Sequence, residues 1–170
     1  MKVKRKVAYR GHVFTVEEWI NPGTGSEFAR VVAHDAVGVV ALTKRGNILI
    51  ERQWRHSLDK HLYEIPAGHI DAGEDPEHAA RRELEEETGY RAGKLTHMLN
   101  MYGAPGSYTQ LMHIYLAENL RKTRENREKD EMITVAEVSF GKALGMIRSN
   151  RIEDGKTILS ILYYLRFFKK

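Results

Sequence analysis

The sequence predicts a single domain in which helices are layered on a β-sheet, an α/β or α+β sandwich. Three observations carry that prediction. Strand-like segments come first, one helical segment stands in the middle, and further strands and two helices follow. The run "AVGVVAL" from Ala36 to Leu42 is apolar at every position, as a strand covered on both faces must be. The 170 residues, 42% hydrophobic and 29% charged, suit one sizeable core.

Taken in order, "HVFTVEEWI" and "EFARVVAHD" read as strands joined by the turn-rich "NPGTGS". "AVGVVAL" and "NILIERQW" follow, and Lys44-Arg45-Gly46 between them reads as a hairpin turn. Asp75-Pro76 looks like a cap followed by proline at the first helical position. Helical spacing then runs to Thr88, and Gly89 supplies the stop. "QLMHIYLAE" and "MITVAEV" are later strands. Ser139 caps a second predicted helix with Phe140, Ala143, Leu144 and Ile147 on one face. A third starts near Gly155, with Ile158, Leu159, Ile161, Leu162 and Leu165 as a broad apolar face for the core. No repeat or long linker interrupts residues 1–170, which read as one domain.

Composition removes several function classes. The chain has no cysteine, so disulfides, thiolate metal sites and cysteine nucleophiles are excluded. Its eight histidines are scattered without zinc-ligand spacing. "TILSILYYLRFF" is too short to span a bilayer and contains Arg166. No apolar run of signal-peptide length follows the basic N-terminus, so a cytoplasmic protein without membrane partners is expected. The formal net charge is +4, with the basic residues mostly at the termini and in "NLRKTRENREK". Aromatics are not interleaved there, which argues against nucleic acid as a partner.

The chemistry concentrates in "GHIDAGEDPEHAARRELEEETGY", residues 68–90. On a helix, Glu83 and Glu87 share one face at i and i+4, and Glu86 joins them at i+3. Ala80 and Leu84 lie on another face, available to the sheet. Arg82 stands four before Glu86, and Arg81 four before Glu85. Glu85, Glu86 and Glu87 crowd the last turn, where the negative helix pole disfavours each by about 0.3–1 kcal/mol. A divalent cation reverses that penalty, and oxygen-only ligands point to magnesium or manganese. A solvated acidic face paired with Arg81 and Arg82 is the structural alternative. The preceding "EIPAGHIDAGED", rich in small residues, favours close approach of a ligand to the backbone.

These residues resemble the Nudix hydrolase signature, G-x5-E-x7-R-E-U-x-E-E-x-G-U. Gly68, Glu74, Arg82, Glu83, Leu84, Glu86, Glu87 and Gly89 match in register. Tyr90 replaces the final aliphatic residue. With "ERQWR" and "EIPAGHI", the likeness is to the ADP-ribose pyrophosphatase branch. It implies an α/β/α sandwich around a mixed sheet, with an N-terminal β-hairpin extension. It implies metal ligation by Glu83, Glu86, Glu87 and the Ala67 carbonyl, with Mg²⁺ as the cofactor and Mn²⁺ as a substitute. Arg82 and Glu74 become structural supports. Glu83, Glu87 and a loop carboxylate become the catalytic set, with Glu131 first and Glu128 next as the base that takes the water proton.

The same resemblance assigns Arg55 to the diphosphate, Glu64 to the substrate ribose, and Gly68 and Pro105 to the substrate site. Thr109 and Gln110 stand where that branch often has an acidic pair, which leaves ADP-sugars and GDP-sugars open. Phe14, Trp19 or Phe28 could stack on the base. In relatives the N-terminal hairpin crosses a dimer, so residues 1–35 are expected to form a homodimer. The reaction expected is Mg²⁺-dependent hydrolysis of a nucleotide-sugar small molecule, ADP-ribose, to AMP and ribose 5-phosphate. Hydrolysis of another nucleotide and a non-catalytic nucleotide-binding module are the alternatives.

Overall fold

The computed structural model describes residues 3–123 and 132–169. Its strands are β1 (Lys6–Arg10), β2 (Phe14–Ile20), β3 (Glu27–Ala33), β4 (Ala36–Ala41), β5 (Ile48–Arg55), β6 (Lys60–Glu64) and β7 (Ala67–His69). After helix α1 (Pro76–Thr88) come β8 (Tyr90–Arg91), β9 (Lys94–Tyr102), β10 (Leu111–Glu118), β11 (Arg121–Lys122) and β12 (Ile133–Val138). Helices α2 (Phe140–Arg148) and α3 (Gly155–Tyr163) follow, and a π-helical turn (Tyr164–Phe168) extends α3.

Strand order explains how α1 is presented. One sheet runs β7-β4-β10-β9 and another β12-β5-β6, with β10 parallel to β4 and the other pairs antiparallel. Side chains alternate across these strands and feed two cores. Val37, Val39, Ala41, Leu49, Tyr115 and Ala117 meet Ala79, Ala80 and Leu84 of α1. Val40, Ile48, Ile50, Ile114 and Leu116 face the other way, onto Phe140, Ala143 and Met146 of α2 and Ile161 of α3. The layers are therefore helix, mixed sheet, helix. No helix among the described residues is long and apolar enough to cross a membrane.

Local chemistry sets the ends of α1. The Asp75 carboxylate accepts from the N–H groups of Glu77 (2.9 Å) and His78 (3.3 Å), and Pro76 occupies the first turn. Gly89 turns left-handed at φ 70°, and its N–H donates to the Glu85 carbonyl.

The expected turn at Lys44-Arg45-Gly46 forms, closed by the Thr43 N–H to the Asn47 carbonyl (2.9 Å) and by the antiparallel bridge Leu42–Ile48, and β4 and β5 pair no further. Beyond it β5 pairs with β6 and β12, and Thr43 and Asn47 both donate to Glu137 of β12. Leu144 of α2 is exposed, as are Leu159 and Leu162 of α3. Both helices pack on one side only, so the apolar faces are narrower than the sequence suggests. Before α1, Ala67–His69 forms β7 against β4.

Strands β1, β2 and β3 make a separate sheet with exposed Val7, Tyr9, Phe14, Ile20 and Phe28. It is stitched to the body where Val31 N–H donates to the Ser107 carbonyl (2.7 Å) and Thr109 N–H to the Val31 carbonyl (3.0 Å).

A buried side chain helps fasten helix α3 to the end of β6. Thr157 is fully buried; its hydroxyl donates to Asp154 (2.6 Å) and accepts from Ile65 N–H (2.9 Å). Thr157→Val keeps the shape and strands that buried N–H, a loss of about 1–3 kcal/mol. A melting temperature lowered by about 2–4 °C per kcal/mol is expected. A shift under about 1 °C would show that Ile65 finds another partner, since even the smallest cost above exceeds it.

Candidate active site

The pitch of α1 sorts its glutamates. Glu83 and Glu87 turn toward β7 and are 9% and 2% exposed, while Glu86 stands at the rim. Glu85 points away and pairs with Arg91 (2.9 Å). The expected Arg81–Glu85 pair does not form. Arg81 reaches back one turn to Glu77 (2.7 Å) and to the Ala92 carbonyl (3.1 Å), leaving Glu85 to the fork of Arg91 just past the Gly89 turn.

Strand β7 presses its backbone onto this acidic face. Ala67 N–H donates to the Glu87 carboxylate (2.9 Å). A Cβ built on Gly68 would overlap the Glu83 carboxyl group, so only glycine admits that carboxylate.

Arg82 spreads its guanidinium over three carboxylates. Nη1 donates to Glu83 (2.7 Å) and Glu86 (3.2 Å), and Nε and Nη2 donate to Glu74 (3.0 and 2.9 Å). Nη2 also donates to the His69 carbonyl (2.9 Å), tying helix to β7. The hydrogen bonds from Arg82 hold the Glu74 carboxyl down to about 2. Its contribution to stability is thus complete above the ordinary carboxylate range, and is lost only as pH falls towards 2.

A second charged cluster centres on Glu64. Arg55 Nε and Nη2 donate to Glu64 at 2.7 and 2.6 Å, and Lys156 contacts the same carboxylate. Lys156 also lies 3.0 Å from Asp154, the N-cap of α3. Burial works to raise the Glu64 pKa, but the hydrogen bonds from Arg55 and the charge of Lys156 outweigh it and lower it. The bonds from Glu64 in turn raise Arg55.

The two clusters share a cavity of about 820 Å³, a size that suits a nucleotide-scale ligand. It brings together Ala67, Gly68, Glu83, Glu86, Glu87, Arg82, Arg55 and Glu64. Glu74 sits behind Arg82 and does not line it. Pro105 does not line it either, but Tyr108 and Gln110 of the same loop do. Trp19 and Phe28 stack on each other (5.5 Å between centroids) and line a second cavity on the N-terminal sheet, while Phe14 packs on Tyr9. None of these three aromatics lines the carboxylate cavity. Glu131 and Glu128 lie outside the described residues.

Lys156 and Asp154 are cavity residues that sequence reasoning missed. One signal was present: a lysine in the first turn of a helix sits at the positive pole, where cations are disfavoured.

The acidic wall fits a hard divalent cation. Its donors are all oxygen, negative charge exceeds the one guanidinium, and Gly68 leaves space at Glu83. The donors share a wall rather than a point, since no three acidic or histidine groups among the described residues already close on one centre.

Known proteins resemble this chain. The family described as "NUDIX domain" matches residues 32–159. An ADP-ribose pyrophosphatase of Bacillus subtilis is 41% identical over 151 residues, covering 87% of this chain and 82% of that protein. A methanol dehydrogenase activator of Bacillus methanolicus is 34% identical, covering 95% and 90%. A GDP-mannose pyrophosphatase of Escherichia coli is 36% identical, covering 71% and 68%. A crystal structure of an ADP compounds hydrolase superposes with a TM-score of 0.81 over 98% of this chain and 94% of that one, at 19% identity, and so shares the fold.

Proposed function

The chain belongs to the NUDIX family, and from that premise we propose that it is a pyrophosphohydrolase that cleaves ADP-ribose to AMP and ribose 5-phosphate. The observation that carries the reading is the company these residues keep. Three carboxylates and the Arg55 guanidinium line one nucleotide-sized cavity. The relatives named for nucleotide-sugar pyrophosphatase activity narrow the substrate class.

Nudix hydrolases generally use a divalent metal, and Mg²⁺ is the ion proposed here, with Mn²⁺ as a substitute. Glu83, Glu86, Glu87 and the Ala67 carbonyl are its proposed ligands. A bound ion supplies a water of lowered pKa and screens the diphosphate oxygens. Arg82 keeps the carboxylates on one wall, with Glu74 as its anchor. Arg55 binds the diphosphate, where a guanidinium fork matches phosphate oxygens. Water adds to one phosphorus as the bridging P–O bond breaks, and the water proton passes to a carboxylate. Glu131 is the proposed acceptor, with Glu128 behind it. In support, Met132, the residue after Glu131, accepts from the N–H of Trp54 (3.3 Å), the neighbour of Arg55 in β5.

A homodimer formed through residues 1–35 is part of the same proposal. The exposed Val7 and Phe28 on one face of that sheet, and Tyr9 and Ile20 on the other, support it, since association would cover such apolar side chains.

A substrate panel tests the reading. With Mg²⁺ present, the protein is offered ADP-ribose, ADP-glucose, GDP-mannose, NADH and a nucleoside triphosphate, and products are resolved by chromatography. Release of AMP from ADP-ribose at the highest kcat/KM is expected. Faster turnover of GDP-mannose would move the assignment within the family, and no turnover of any compound would leave a binding module.

A further inference from the structure

We propose that Lys156 is a positioning residue of the diphosphate site: by sharing the charge of Glu64, it keeps the Arg55 guanidinium available to an anionic ligand. The identity of that ligand rests on the hydrolase reading above. Four side chains of alternating charge, Asp154, Lys156, Glu64 and Arg55, run in contact along one wall of the cavity. The side chains of Glu64 and Lys156 are 2% and 11% exposed, against 34% for Arg55. All four line the cavity, and Arg55 is the most exposed of them to a ligand. Its Nε and Nη2 are committed to Glu64, while Nη1 has no hydrogen-bond partner among the described residues.

The helix pole does not call for a lysine at this position. It stands in the first turn of α3, where the helix pole is already positive. Asp154 answers that pole through the N–H of Thr157 (2.9 Å) and is near Lys156 as well. The reason for the lysine lies across the fold, at Glu64 on β6. Thr157, the next residue, is bonded to Ile65, so helix and strand hold the Lys156–Glu64 contact in register.

Charge then decides what Arg55 can do. Paired with Glu64 alone, its guanidinium is neutralised by the carboxylate that orients it. Lys156 takes part of that charge, and the four groups together balance. Remove Lys156 and one cation faces both Glu64 and Asp154. The cluster becomes net negative, in the same cavity as the carboxylates of Glu83, Glu86 and Glu87. A diphosphate would then meet added negative charge there.

The test compares Lys156→Met and Lys156→Gln, which are neutral, with Lys156→Arg, which keeps the charge. Melting temperature, affinity for ADP with Mg²⁺ by calorimetry, and steady-state kinetics on ADP-ribose are measured for each. Both neutral variants are expected to weaken ADP binding and raise KM on the order of tenfold, with kcat within about threefold of wild type. Lys156→Arg recovers most of the affinity. If Lys156→Met melts early, Lys156→Gln, which can still hydrogen-bond Glu64, gives the deciding numbers. Unchanged KM and ADP affinity in the neutral variants overturn the proposal. So does a fall in kcat at constant KM, or a Lys156→Arg protein as weak as the neutral ones. A wild type that binds ADP but leaves ADP-ribose intact sinks the hydrolase reading alone, and the ADP titrations still decide the role of Lys156. A wild type with no affinity for ADP overturns both.

Discussion

Glu87→Gln is expected to lower kcat on ADP-ribose by more than about 100-fold, because even changes behind a metal ligand cost about 10–100-fold. Glu87 is the deepest of the acidic set at 2% exposure. Its carboxylate accepts from Ala67 N–H, and the amide oxygen of glutamine can still accept there. The substitution therefore removes charge while keeping shape and backbone contact, and the melting temperature should stay within a few degrees. The loss should appear in kcat, with reduced affinity in a Mn²⁺ titration as its companion. Glu83→Gln should behave alike, although it also gives up half of the ion pair at Arg82. Glu85→Gln is the internal control. It lies one residue from Glu86 but pairs with Arg91 at the surface, so near-wild-type turnover is expected. A Glu87→Gln protein with near-full rate at saturating Mg²⁺ would remove Glu87 from the ligand set.

That contrast between Glu85 and Glu87 was only half legible in the sequence. Helical spacing separates Glu83, Glu86 and Glu87 from the apolar face of Ala80 and Leu84, and caps fix where the helix begins and ends. Those are local rules, and α1 follows them. Which arginine serves which glutamate is not local. Arg81 had two candidate partners at equal spacing, and Arg91 won Glu85 because the left-handed turn at Gly89 folds it back. The strands show the same division. "AVGVVAL" announces burial on both faces, whereas "KHLYE" and "AGH" give little sign of β6 and β7. In β6 the buried residues are Leu62 and a charged one, Glu64, which is tolerable inside only because Arg55 and Lys156 meet it there. Polar strands that build a site break the hydrophobic pattern from which strands are read. The cation wall was therefore the harder half to foresee, since it joins β5, β6 and the start of α3.

Gly68→Ala is the sharpest test of how the acidic wall is assembled. Gly68 does not need glycine for its backbone, since its φ is not in the left-handed region. What it provides is space. The added methyl would occupy the position of the Glu83 carboxyl group, which is the far end of a flexible chain. Glu83 can swing away at small cost to the fold, but doing so breaks its contact with Arg82 and removes one oxygen donor from the wall. A displacement of about 1 Å near reacting groups can cost on the order of 100-fold, and the same loss of kcat is expected here. Gly46→Ala should do the opposite. Gly46 sits at φ 73° in the Thr43–Asn47 turn with open space around it. Alanine there strains the backbone by about 1 kcal/mol and touches nothing in the cavity. One glycine variant should lose activity and keep its melting temperature, and the other should lose melting temperature and keep its activity. A Gly68→Ala protein that keeps full turnover would show that Glu83 does its work from another position, and the ligand set proposed for that wall would have to be redrawn around Glu86 and Glu87.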